Sequence, residues 1–125
     1  MKQIIECVPN FSEGNNPEII RKITDAIESV KGVMLLDVDP GKATNRTVVT
    51  FVGDPESVVE AAYRSIRKAA EVIDMRFHKG EHPRFGATDV CPLVPVSGIT
   101  MEETAELARK LAEKVGKELG IPVYC

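Results

Sequence analysis

The segment TVVTFVGDP, residues 47–55, predicts a strand that is followed at once by a helix. Thr47–Val52 alternates and is rich in β-branched residues, which favour the extended backbone of a strand. Asp54 then offers a helix-capping side chain, and Pro55 suits the first position of a helix. The apolar residues that follow recur at helical spacing: Val58, Val59, Ala62, Ile66, Ala69, Ala70 and Ile73.

The residues before this segment predict a similar alternation of strand and helix. Ile4–Val8 is a short apolar run that predicts a strand leading into a loop. Asn16 and the proline after it predict the start of a helix, which Gly32 should end. Val33–Val38 predicts a second strand, and we expect Pro40-Gly41 to break it.

The last third of the chain predicts one more helix between two strands. Val90–Val96 reads as a strand whose two prolines cannot donate hydrogen bonds, so it should lie at an edge or pair on one side only. Thr100 and Glu103 match a capping box, and the helix that they begin should end at Gly120. Ile121–Cys125 predicts the start of a last strand.

The resulting order, β-α-β-β-α-β-α-β, predicts an α+β fold. Its first six elements match the ferredoxin-like βαββαβ arrangement, in which helices pack on one face of an antiparallel sheet. The last helix and strand would extend this unit. Since the chain has 125 residues, we expect a single domain that covers residues 1–125.

The composition argues against several classes of protein. A net charge of −3 and a pI of about 5.4 disfavour nucleic-acid binding, which usually requires a basic surface. No apolar run approaches the roughly 20 residues of a membrane span. The three cysteines have no metal-type spacing, which predicts reduced thiols in a cytoplasmic protein.

The segment HKGEHPRFGATDVCP, residues 78–92, holds both histidines of the chain and is rich in glycine and proline. Histidine exchanges protons near neutral pH, so this segment is a candidate for proton transfer. His78 and His82 also fit the H-x-x-E-H zinc pattern. We nevertheless expect no metal, because Gly80 and Pro83 disfavour the helix that this pattern needs and no third ligand can be assigned.

Several segments carry a resemblance to a known family: CVPNFSEG (residues 7–14), LLDVD (35–39), TNRTVVTFVG (44–53), VIDMR (72–76) and the histidine segment. Together they resemble the N-terminal subdomain of the formiminotransferases, which move a formimino group from formiminoglutamate to tetrahydrofolate. The resemblance runs from about Ile4 to the last residue. Because family members continue past Cys125, we expect the C-terminal subdomain to be absent from this chain.

The resemblance implies that His82 is the catalytic general acid/base. From the residues alone, a surface histidine in a loop is an equally good interpretation. Asp39, after the second predicted strand, is the candidate that would orient or polarise this histidine. Its alternative is a turn-forming aspartate before Pro-Gly, and both interpretations of Asp39 stay open here.

The substrates that the resemblance implies carry carboxylates, which guanidinium groups bind bidentately. The candidate binding residues are Asn10, Asn45, Arg46, Lys79 and Arg84. Asn10 offers hydrogen bonds to a pterin or a formimino nitrogen, and the neighbouring Phe11 could pack on a ring. The alternatives are solvated surface charges and a loop that only caps the next helix.

The resemblance therefore implies a folate-dependent one-carbon transferase domain, with tetrahydrofolate as co-substrate and no metal. Its partner would be a C-terminal subdomain in a separate chain or a further copy of this chain, with neither nucleic acid nor membrane involved. The alternative is a non-catalytic folate- or partner-binding half of a split or truncated enzyme.

Overall fold

The computed structural model describes residues 2–73 and 86–121 of the chain. Its strands are β1 (Ile4–Cys7), β2 (Asn10–Phe11), β3 (Val33–Gly41), β4 (Arg46–Gly53), β5 (Thr88–Val90) and β6 (Leu93–Ser97). Its helices are α1 (Pro17–Glu28), α2 (Pro55–Val72) and α3 (Met101–Leu119). The predicted α+β class is confirmed, whereas the ferredoxin-like arrangement and the last strand stay predictions, since residues 122–125 lie outside the described ranges.

All three helices begin where their capping residues predict. Asn16 accepts a hydrogen bond from a backbone N–H two residues on at 3.0 Å, and Asp54 accepts one three residues on at 2.9 Å. Thr100 and Glu103 form the predicted capping box, with both reciprocal bonds at 3.0 Å. These caps satisfy backbone donors that a helix leaves unpaired at its start.

The sheet is built around β4, which pairs with strands along both of its edges. β3 runs antiparallel to it along one edge, from Val33 opposite Gly53 to Gly41 opposite Arg46. β1 and β2 pair in succession along the other edge, so they act as one strand that is interrupted after Cys7. β6 then pairs with β1, and β5 pairs with β2, both antiparallel.

The helices bury one face of this sheet. Alternate residues of the central strands, such as Ile5, Val49 and Phe51, are at most 1% exposed and join residues of all three helices in one apolar cluster. The residues between them point to the opposite face, because successive side chains of a strand alternate. We call this second side, against which none of the described helices packs, the open face. Among those helices, none combines the length and apolar character required to cross a lipid bilayer.

The prediction that Pro40-Gly41 breaks the second strand is wrong. β3 continues to Gly41, and Pro40 lies opposite Thr47. Among the described strands, β3 pairs with β4 alone. A proline is tolerated on such an edge because its missing N–H removes no inner ladder bond.

Two other strand assignments need correction. Asn10 and Phe11 form the short strand β2 rather than a loop, because they pair with both β4 and β5. The predicted strand Val90–Val96 is divided into β5 and β6 at Cys91-Pro92. The expectation that this segment pairs on one side only is met within the described residues, since β6 pairs with β1 and β5 with β2.

Candidate functional site

Two of the predicted site residues lie in one row across the open face. Asp39 of β3 is opposite Val48 of β4, and Val48 is also opposite Asn10 of β2. Directly paired residues share a face, so Asp39 and Asn10 point to the same side of the sheet with Val48 between them. Two strand spacings separate them, which is about 10 Å.

A bulge at Leu36 puts Asp39 on this side. Leu35 is opposite Phe51 in the core, and the next paired residue is Asp37, opposite Thr50, so Leu36 is the extra residue. In a regular strand Asp37 and Asp39 would share the face of Leu35 and point into the core. The extra residue turns both carboxylates outward, and both residues are exposed.

Among the described residues, Asn10 and Asp89 hold the side chain of Arg46, the first residue of β4. Its Nε donates to Oδ1 of Asn10 at 2.9 Å, and its Nη2 lies 3.3 Å from Oδ2 of Asp89. The side chains of Arg46 and Asp89 are only 21% and 9% exposed, so water screens this pair incompletely. Asn10 is fixed in turn, because its Nδ2 donates to the carbonyl oxygen of Val8 at 3.1 Å. We call Asn10, Arg46 and Asp89 the arginine cluster.

Asn45 joins the turn before β4 to the loop after β2. Its Oδ1 accepts hydrogen bonds from the backbone N–H of Gly14 at 2.8 Å and from Nδ2 of Asn15 at 2.9 Å. Asn45 also has a positive φ of 51°, a conformation that asparagine tolerates better than most residues. The structure thus shows a positioning role for Asn45, while its predicted contact with substrate stays a prediction.

The loop after β2 also holds the histidine segment at Gly86 and Ala87. Oγ of Ser12 donates to the carbonyl oxygen of Gly86 at 2.7 Å, and the Ser12 N–H donates to the carbonyl oxygen of Ala87 at 2.8 Å. Gly86, the first described residue after segment 74–85, therefore lies beside Ser12, which is two residues from Asn10. This junction lies next to the arginine cluster.

Three of the predicted site residues, His82, Lys79 and Arg84, lie within segment 74–85 and so outside the described residues. The expected convergence of His82 and Asp39 therefore stays a prediction. Asp39 itself is in a strand, so the alternative of a turn-forming aspartate is wrong.

Two findings were not anticipated from the sequence. No local pattern marks Asp89 as a site residue, although it belongs to the histidine segment and is its one acidic residue after the histidines. Phe11 does not face the open side, as the idea of ring packing would require. Its side chain is 1% exposed and lies in the core beside Ile23 and Val49.

The described part of the chain contains no group of three histidine, cysteine, aspartate or glutamate side chains placed to hold a metal ion. The polar groups that the structure brings together are an amide, a guanidinium and carboxylates. These groups recognise other charged or hydrogen-bonding molecules, because they combine fixed donors with fixed acceptors.

Comparison with known proteins identifies relatives of high similarity. Residues 4–125 match the formiminotransferase domain, N-terminal subdomain. The chain is 56% identical over 124 residues to formimidoyltransferase-cyclodeaminase of Rattus norvegicus, covering 99% of this chain and 23% of the relative. It is 54% identical over 121 residues to glutamate formimidoyltransferase of Thermoplasma acidophilum, covering 97% of this chain and 40% of the relative.

A third relative, glutamate formimidoyltransferase of Streptococcus pyogenes, is 48% identical over 124 residues, which cover 99% of this chain and 42% of the relative. The chain thus spans less than half the length of each of these proteins. Because the match extends over nearly the whole chain, the protein belongs to the formiminotransferase family and corresponds to its N-terminal subdomain.

Proposed function

We propose that the chain forms part of a folate-dependent one-carbon transferase, which moves the formimino group of N-formiminoglutamate to N5 of tetrahydrofolate. Membership of the family supports the reaction class. The observation that carries the proposal within this chain is Arg46, fixed between Asn10 and Asp89 on the face that no described helix covers.

The arginine cluster suits recognition of a carboxylate. A guanidinium presents its N–H donors in one plane and matches the two oxygens of a carboxylate. Asn10 and Asp89 fix that plane before any substrate arrives, so less side-chain entropy is lost on binding. Formiminoglutamate has two carboxylates and folate has a glutamate tail, and we assign Arg84 and Lys79 to the further anionic groups.

In the proposed reaction, N5 of tetrahydrofolate attacks the electrophilic formimino carbon and gives a tetrahedral intermediate. N5 must then lose a proton, and the glutamate nitrogen must gain one before it leaves. A single imidazole, that of His82, performs both transfers in turn, and Asp39 orients it. Tetrahydrofolate is the co-substrate, and the scheme needs neither a protein nucleophile nor a metal.

Exposed apolar side chains elsewhere on the sheet support a partner. Met34, Val94 and Val96 are 63%, 40% and 55% exposed, and the register places Met34 and Val94 on the open face. We propose that a second subdomain, in a separate chain or in a further copy, covers this face and excludes water from the reacting groups. The alternative is a non-catalytic half of an enzyme that binds folate or a partner. The same apolar residues would then form its binding surface.

The test joins this chain to the remaining part of the Thermoplasma acidophilum relative and measures formimino transfer. We expect His82→Ala to lower kcat by at least about 100-fold, because it removes the general acid/base. Arg46→Lys should raise KM for formiminoglutamate about tenfold, since lysine cannot reproduce the planar fork. Arg109→Lys, on the exposed face of α3, is the matched control and should change neither constant.

An active parent in which His82→Ala keeps full turnover would contradict the catalytic assignment. A folded but inactive parent that still binds tetrahydrofolate, measured by fluorescence titration, would instead favour the non-catalytic alternative.

A further inference from the structure

Cys7 and Cys91 lie in contact although 84 positions separate them in the sequence. Their Sγ atoms are 3.6 Å apart, and both are free thiols. Cys7 ends β1 and is 0% exposed, whereas Cys91, between β5 and β6, is half-buried. The sulfur atoms of a disulfide are about 2.05 Å apart, so these two would need to approach by about 1.5 Å.

The backbone around the two thiols holds them side by side. Cys7 is opposite Leu93 in the pairing of β1 with β6, and the Val8 N–H donates to the carbonyl oxygen of Pro92 at 3.2 Å. Strand pairing is interrupted next to both thiols, because residues 8–9 separate β1 from β2 and residues 91–92 separate β5 from β6. We therefore expect side-chain rotation with a small backbone shift to close the remaining distance.

We propose that Cys7 and Cys91 form a reversible oxidation site for peroxides, with Cys91 as the thiol that is oxidised first and Cys7 as the thiol that closes the disulfide. This site is independent of the proposed transferase activity. It lies on the helix-covered side of the sheet, at the end of β1. Asn10 of the arginine cluster follows three residues after Cys7.

The chemistry balances with hydrogen peroxide as the oxidant. The sulfur of Cys91 attacks the peroxide O–O bond, which gives a sulfenic acid and one water. The sulfur of Cys7 then attacks the sulfur of Cys91, the S–S bond forms, and the sulfenic oxygen leaves as a second water. The two thiols lose two protons and two electrons in total, and the peroxide accepts them.

Burial decides the order of the two steps. A peroxide molecule reaches the half-buried Cys91 before the fully buried Cys7. The hydrogen bond with Cys91, together with burial, raises the pKa of the Cys7 thiol well above its usual value. Cys7 therefore stays a protonated thiol, which reacts with peroxide much more slowly than a thiolate, so oxidation starts at Cys91.

The disulfide would tie the segment after β5 to the end of β1. Cys91 directly follows Val90, which is opposite Asn10, and lies two residues from Asp89. Closing so long a loop restricts the unfolded chain, so the oxidised protein should unfold at a temperature higher by roughly 5–15 °C.

The experiment treats the reduced chain carrying Cys125→Ser with hydrogen peroxide alone and measures intact mass. We expect a loss of about 2 Da, the mass of the two hydrogens removed when an S–S bond forms, and full reversal by dithiothreitol. Non-reducing peptide mapping should link the peptides that contain Cys7 and Cys91. The matched variant Cys91→Ser should show no loss of 2 Da.

Cys7→Ala separates the two steps, and circular dichroism at 20 °C confirms that it is folded before use. In this variant Cys91 should stop at the sulfenic acid, which a dimedone probe traps. The proposal is overturned if the Cys125→Ser chain forms only disulfides between molecules or gains oxygen without losing hydrogen. It is also overturned if peptide mapping of the oxidised chain shows no link between the Cys7 and Cys91 peptides.

Discussion

Nε of Arg46 donates to Oδ1 of Asn10 at 2.9 Å and so joins the first residue of β4 to the first residue of β2. The two residues are 36 positions apart in the sequence. Their bond depends on the short strand β2, because the pairing of β2 with β4 brings Asn10 beside the end of the hairpin that carries Arg46. The arginine cluster is thus a product of sheet register.

Asp89→Asn should lower the free energy of unfolding by about 1–2 kcal/mol, because it removes the negative charge from a partly buried ion pair. Urea unfolding of the chain measures this change. Glu106→Gln, which breaks an exposed pair with Arg109, is the matched control and should have no resolvable effect. Equal losses in the two variants would show that the burial of Asp89 has no energetic consequence.

Deletion of Leu36 should leave a folded protein. Removing the bulged residue makes β3 regular and keeps Asp37 opposite Thr50 and Asp39 opposite Val48. Deletion of Val38 should instead prevent cooperative folding, because it moves Asp39 opposite Val49 on the core side.

Thermal unfolding followed by circular dichroism distinguishes the two deletions. A cooperative transition in the Val38 deletion, or its loss in the Leu36 deletion, would refute the assigned register. Leu36→Ala, which keeps the chain length, controls for loss of the half-exposed side chain.

Asp54→Ala should destabilise the chain by about 1 kcal/mol at pH 7, because it removes the N-cap of α2. Hydrogen bonds from Ser57 lower the pKa of Asp54 below its usual value of 3.8. A folded-state pKa below the unfolded one means that this stabilisation is complete above the unfolded value and is lost as the pH falls through the folded one.

Asp54→Asn keeps a capping side chain without the charge, so it isolates this pH dependence. The difference in stability between the parent and Asp54→Asn should shrink as the pH falls below about 4. Urea titrations at several pH values measure it, and a difference that grows with acid would have the wrong sign.

Gly14→Ala should destabilise the chain strongly, because an added Cβ would lie 2.1 Å from the carbonyl oxygen of Gly41 and 2.6 Å from the backbone nitrogen of Arg46. Gly116→Ala, in the last turn of α3, meets nothing closer than 3.7 Å and should stabilise by about 0.5–1 kcal/mol. The midpoints of thermal unfolding should therefore move in opposite directions. A tolerated Gly14→Ala would mean that the loop after β2 is not held against the hairpin as described.

The starts of the helices and the α+β class could be predicted from the sequence because their signals are local. The caps at Asn16, Asp54 and Thr100 act on backbone donors within three residues, so they hold wherever the helix packs. The apolar spacing of α2 is equally local and identified its buried face. The family resemblance also needed only short segments in order, and the match over residues 4–125 bears it out.

Only the tertiary structure decided which side chains meet on the open face. The alternation of LLDVD in a regular strand would send Asp37 and Asp39 to the face of Leu35, and the bulge at Leu36 reverses this through pairing with β4. Asp89 pairs with Arg46, and Cys91 contacts Cys7. Both contacts depend on β5 and β6, which pair with strands far away in the sequence. Long-range pairing sets these contacts, and no local pattern of residues encodes a register.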